Sequence, residues 1–156
     1  MSQGKVVSLH IAAVAAAPMI TVAQVKAAAG QGLEGDRYSN KLGTYSNNPG
    51  SGRDVTLIES EAIDALLREY KIGFEPSMAR RNIVTRRIAL NHLVEKQFKI
   101  GAVILRGTRL CEPCMHLERL SSAGAMRGLI HRGGLRAEII TGGTIRVGDE
   151  ILVVES

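Results

Sequence analysis

The 156-residue chain contains no tryptophan, and aromatic residues make up only 3% of it. The five are Tyr38, Tyr45, Tyr70, Phe74 and Phe98, and they do not alternate with arginines. Proteins that bind single-stranded nucleic acid stack bases on aromatic side chains, so this scarcity argues against that class despite a formal net charge of +5. Cysteine is scarcer still, with Cys111 and Cys114 alone. Two cysteines in a chain this long do not make a disulfide scaffold. In a reducing compartment a C-x-x-C points instead to redox, metal or nucleophile chemistry. No apolar run approaches the roughly 18–20 residues of a membrane span. The alanine-rich segment Ile11–Ile20 lacks a basic lead and is broken by Pro18, so a signal peptide is not expected and a cytoplasmic protein is predicted. No internal repeat or second domain is visible, and residues 1–156 read as a single domain able to bury a core.

What remains is a basic, glycine-rich chain of short strands. The charge favours an anionic partner, such as a phosphorylated cofactor or an acidic protein, over a neutral one; a solvated basic surface would look the same. Lys5–Ala13 alternates as a strand, with Val6, Ser8 and His10 on one face and Val7, Leu9 and Ile11 on the other. His10 there reads as a satisfied core or edge histidine. Thr21–Ala28 is a second, weaker strand. Gly30-x-Gly32-x-x-Gly35 follows, but no long helix succeeds it, so a dinucleotide fold is not implied. Residues 38–53 read as a long loop. Asp54–Ile58 is a strand, and Ser60–Glu69 is the clearest helix, with Ala62, Ile63, Leu66, Leu67 and Tyr70 at helical spacing. Ser60 is its predicted N-cap and Gly73 lies just past its end. Arg80-Arg81-Asn82 precedes the β-branched run Ile83-Val84-Thr85. This is either an edge strand with charged ends or a site for phosphate and a heterocycle edge. Three short strands, Ala137–Thr141, Thr144–Val147 and Glu150–Val154, are separated by glycine turns. The expected fold is mixed α/β and mainly β: a barrel-like domain with a few helices.

The chemical centre is predicted where the apolar strand Ala102–Thr108 runs into Arg109-Leu110-Cys111-Glu112-Pro113-Cys114-Met115-His116. A helical pattern leads out, and a thiol at a helix start is favoured as thiolate. Thioredoxin-like redox chemistry lacks its βαβ context here. A structural zinc site would need a fourth ligand beyond Cys111, Cys114 and His116, from His131 or His10. Two inert, buried cysteines are a third reading. A single reactive thiol is the fourth, and Cys114, beyond Pro113, suits it best, while Cys111 should be buried.

Several stretches together resemble the MOSC domain family, named after the C-terminal part of molybdenum cofactor sulfurase. They are Gly32-Leu33-Glu34-Gly35-Asp36-Arg37, Arg80-Arg81-Asn82-Ile83, Arg109-Leu110-Cys111-Glu112-Pro113-Cys114, Arg132-Gly133-Gly134-Leu135-Arg136-Ala137 and Gly143-Thr144-Ile145-x-x-Gly148-Asp149. The chain looks most like the small stand-alone bacterial members. The resemblance implies a β-barrel-like fold and a pterin-based molybdenum cofactor. It implies Cys114 as molybdenum ligand or sulfur carrier, and Arg80 or Arg81 with Asn82 as residues that hold the cofactor. The convergence of polar groups around a strand-end thiol predicts that Arg80, Arg81 and Asn82 line one cleft with Cys114, with Asp36 and Arg37 at its rim. Related proteins reduce N-hydroxylated bases and amidines. The larger reducing members carry further domains that this sequence lacks. A separate electron or sulfur donor protein is therefore expected, with a small-molecule substrate and neither nucleic acid nor membrane as partner. The alternatives are a persulfide-bearing sulfur carrier and a non-catalytic protein that binds or delivers the cofactor.

Overall fold

A computed structural model of the chain describes residues 4–13, 17–36, 55–73, 76–111, 128–129 and 132–154. Its strands are β1 Gly4–Ile11, β2 Ile20–Val22, β3 Gln24–Ala28, β4 Gly32–Leu33, β5 Val55–Glu59, β6 Ile83–Arg86, β7 Gln97–Ile100, β8 Val103–Leu110, β9 Leu135–Thr141, β10 Gly143–Arg146 and β11 Glu150–Val153. The α-helix described along its whole length is α1, Ser60–Tyr70. Seven strands close a ring in the order β11-β7-β8-β9-β5-β6-β1, and the start of β1 returns to β11 through Gly4 opposite Ile151. The architecture is the mainly β barrel expected. β2 extends the sheet along the far half of β1, and β10, β3 and β4 form a separate three-stranded sheet.

The barrel interior is filled by side chains, as small barrels require. Leu9, Leu57, Ile83, Phe98, Leu105 and Leu135 are fully buried there, and Leu33 of the smaller sheet joins them. Among the strands of the described residues, only β5 and β6 pair in parallel. A parallel pair cannot be joined by a hairpin and needs a crossover, which α1 begins. The helix packs on the outer face of the two strands, where Ile58, Ala62, Ile63, Leu66, Val84 and Leu129 form a second apolar cluster. β5 and β6 are thus covered on both faces, and their apolar runs are continuous for that reason. β6 is accordingly an internal strand, flanked by β5 and β1.

The helix departs from expectation at both ends. Glu59 is the N-cap, with no side-chain cap hydrogen bond, and Ser60 is already helical. At the other end Lys71, at φ 58°, takes the left-handed position. Its N–H donates to the Leu67 carbonyl at 3.1 Å, and the Ile72 N–H to that of Leu66 at 3.1 Å. This paired pattern ends a helix without glycine at the turn, so Gly73 plays no part in it. Leu67 and Tyr70 are 58% and 43% exposed, so the apolar stripe on the core is narrower than the spacing suggested.

The alternation of β1 is also broken. Val6 pairs with Thr85 but Ser8 pairs with Val84, which makes Val7 an extra residue in the strand. Such a bulge shifts the faces by one. Val6 and Leu9 consequently share the barrel core, while Val7 turns to the α1 cluster. His10, 2% exposed, sits between two hydroxyls, with Nε2 2.8 Å from Ser8 Oγ and Nδ1 3.1 Å from Thr21 Oγ1. Burial lowers its pKa. The folded ring therefore stays neutral where the unfolded ring, with a pKa of about 6.5, begins to take a proton. Stability is therefore unaffected at higher pH and is lost as pH falls through the unfolded value, by at most about 1.4 kcal/mol per pH unit. Urea midpoints between about pH 7.5 and about pH 5 should fall in the parent protein and flatten in His10→Gln.

Candidate functional site

β6 is preceded by Arg80-Arg81-Asn82, and the three side chains diverge from a turn. Arg80 itself has φ 56°, a left-handed conformation that costs a non-glycine residue on the order of 1 kcal/mol. Its guanidinium, 9% exposed, donates from Nη1 to the Ala17 carbonyl at 2.6 Å. Asn82, 1% exposed, stitches β6 to both neighbours. Its Oδ1 accepts from the Thr56 N–H at 3.1 Å and from the Thr56 hydroxyl at 3.2 Å. Its Nδ2 donates to the His10 carbonyl at 3.1 Å, and its own carbonyl takes the His10 N–H at 2.7 Å.

Arg81 joins the start of the cysteine motif to the start of β9. Nε donates to the Gly133 carbonyl at 2.8 Å, Nη2 to the Cys111 carbonyl at 3.1 Å and Nη1 to the Ala79 carbonyl at 3.5 Å. Cys111 is 4% exposed, as expected for the residue that ends an apolar strand, and its N–H donates to the Gly134 carbonyl at 2.8 Å. Asp36 is fully buried rather than at a rim, and its Oδ1 accepts the Ala12 N–H at 3.1 Å. Asp36, Arg80 and Asn82 thus hold the chain that leaves β1, while Arg81 holds the two ends of the segment that contains Cys114. Cys114, Arg37, His116 and His131 lie outside the described residues. Among the described residues no group of three His, Cys, Asp or Glu side chains is placed to hold a metal ion. None of their helices is long and apolar enough to cross a membrane.

The arrangement has a distinct electrostatic character. A guanidinium offers five N–H donors. Those that Arg81 commits go to carbonyl oxygens, and no carboxylate among the described residues pairs with it. A buried cation neutralised only by carbonyl dipoles favours an anion nearby. Asn82 offers less to a ligand, since its oxygen is taken twice by Thr56.

Two features went unremarked in the sequence. Thr56 completes the Asn82 network, and nothing in its strand context singles it out. A cleft of about 260 Å³ borders Gly134, whose lining includes Glu59 and Arg132. Glu59 accepts the Leu90 N–H at 3.1 Å. Burial pushes its carboxyl above the ordinary range, against the opposing pull of that hydrogen bond.

The family profile described as the MOSC domain matches residues 44–152. The fold is similar to the crystal structure of the YuaD protein from Bacillus subtilis, with 16% identity and a TM-score of 0.80 over 97% of this chain and 95% of that one. It is also similar to YiiM from Geobacillus stearothermophilus, with 14% identity and a TM-score of 0.72 over 97% and 75% of the two chains. YiiM from Escherichia coli gives 16% identity and a TM-score of 0.68 over 100% and 71%. At these identities the likeness is one of fold. No curated protein matches the chain by sequence.

Proposed function

Because the chain belongs to the MOSC domain family, we propose that it binds a pterin-based molybdenum cofactor and reduces N-hydroxylated compounds, with Cys114 as the metal ligand. The observation that carries this reading is Arg81. It is 8% exposed, its charge meets carbonyl oxygens rather than a carboxylate among the described residues, and it grips the residue three places before Cys114. Three residues of extended chain reach about 10–11 Å. That reach is the upper limit on the distance between Cys114 and Cys111, and the donor set of Arg81 beside Cys111 suits a phosphate group.

When bound, the cofactor supplies the electron-transfer chemistry, and a thiolate is the soft ligand such a metal takes. The other residues act as a frame. Arg80, Asn82 and Asp36 fix the chain after β1, and Arg37 follows Asp36 directly in sequence. Electrons come from a separate donor protein in this reading.

Protein purified from a host that makes the cofactor should contain molybdenum and a fluorescent pterin in near-equal amounts. Cys114→Ser should lose most of the metal with little change in circular dichroism. With an added chemical reductant, the loaded protein should reduce an N-hydroxylated base. Metal without turnover would point to a cofactor-delivery role. A persulfide on Cys114 without metal would point to a sulfur carrier.

A further inference from the structure

We propose that the cleft beside α1 is a binding site for a small aminoalkyl carboxylate, its ammonium held by Glu59 and Glu61 and its carboxylate by Arg68 and Arg132. The cleft runs along one face of the helix. Glu61, Ala65 and Arg68 are spaced four and then three residues apart, so they stack on one side. At about 1.5 Å per residue, Glu61 and Arg68 are separated by about 10 Å along the axis. Both line the cleft, together with Ala62 and Ala65 between them. Two acidic groups therefore stand at one end, two methyl groups form the floor, and a guanidinium stands at the other end.

The hydrogen bonds select the ligand's two ends. Each carboxylate has one oxygen committed to the backbone: Glu59 Oε2 to the Leu90 N–H at 3.1 Å, and Glu61 Oε2 to the Arg87 N–H at 2.8 Å. Neither presents the two-oxygen edge that a planar amidinium prefers. Two single oxygens from different residues suit the three diverging donors of an ammonium; among the described residues Glu61 Oε1 has the Ser60 hydroxyl beside it, at 3.4 Å. At the far end Arg68 Nη2 and Arg132 Nη1 both reach Glu69 Oε2, at 3.3 and 3.0 Å. That geometry holds the two guanidiniums side by side and leaves their remaining N–H groups for a second carboxylate. Alkyl carbons between the ends would cover the alanine methyls. Burial raises the pKa of Glu59 and the neighbouring Glu61 charge adds to it, against the pull of the Leu90 hydrogen bond and of the His92 and Arg132 charges.

The site is distinct from the cofactor reading and is tested on protein without metal. In an NMR titration, ε-aminocaproate should bind saturably at about 1 mM or tighter and shift the amides of Glu61, Ala62 and Ala65. Caproate and hexylamine, each with one end only, should bind at least about tenfold more weakly. Glu61→Gln keeps an oxygen for the Arg87 N–H, and Arg132→Gln removes only an exposed ion pair, so both should stay folded. Each should weaken ε-aminocaproate binding about tenfold. Equal binding of the single-ended probes, absence of saturation, or variants that titrate like the parent would overturn the proposal.

Discussion

Arg81→Met should lower stability by about 3–4 kcal/mol, the cost expected when several buried carbonyls lose their donors together. In a domain of this size that is about 6–16 °C in melting temperature. The side chain is 8% exposed and bridges Gly133, Cys111 and Ala79, so water cannot readily replace it. Arg81→Lys separates charge from shape. A lysine keeps the cation but offers a point donor in place of the fork, so it should recover less than half of the loss. Hydrogen exchange supplies the local readout. The Cys111 amide, bonded to the Gly134 carbonyl, should exchange much faster in Arg81→Met, while α1 amides change only with global stability. If both sets of amides change in parallel, Arg81 contributes to the whole fold and does not specifically fix the cysteine segment.

Gly134→Ala should be comparably severe, at about 4 kcal/mol. Two costs coincide there. The residue has φ 111°, which a side chain rarely adopts, and a Cβ would run into the Leu57 carbonyl oxygen with its carbon 3.0 Å away. The Leu57 backbone belongs to an internal strand and cannot retreat without breaking its pairing with β9 and β6. Gly148→Ala is the control. Its φ is 93°, but nothing lies within 4 Å of the added carbon. That change should cost only the backbone term, about 1 kcal/mol. Similar losses at the two positions, measured by urea unfolding, would show that close approach of Leu57 is unimportant.

Much of the barrel was legible because its signals are local. Glycine turns at Gly142-Gly143 and Gly148 bracket the last strands, and the amphipathic spacing of Ala62, Ile63 and Leu66 placed α1. The bulge at Val7 was hidden, because an extra residue is inserted by pairing with Val84 and Thr85, far away in sequence. The left-handed turn at Lys71 was hidden for a related reason: backbone hydrogen bonds to Leu66 and Leu67 end the helix there, whereas composition favoured Gly73. For the site, residue types were readable and their directions were not. Arg80, Arg81 and Asn82 stood out as polar groups before a β-branched run. That Asn82 turns inward to Thr56 and His10 depends on β6 being an internal strand, which only the sheet order reveals. One clue was available: a polar residue leading into a strand buried on both faces must satisfy its groups inside the protein.

The closure of the ring through Gly4 and Ile151 bears on how the chain reaches its native state. Helices and hairpins can form early because their partners are near in sequence, whereas this seam joins strands separated by almost the whole chain. Loop-closure entropy makes such pairing slow. The hairpin of β7 and β8 and the packing of α1 on β5 should therefore precede it, and β1 should dock late. Interactions made after the rate-limiting barrier act mainly on the unfolding rate. Gly4→Ala tests this, because an added carbon would press on Ile88 Cβ at 2.8 Å, beyond the end of β6, and so displace the residue that pairs with Ile151. The change should accelerate unfolding several-fold and leave refolding almost unaltered, so the seam governs how long the native protein lasts more than how quickly it forms.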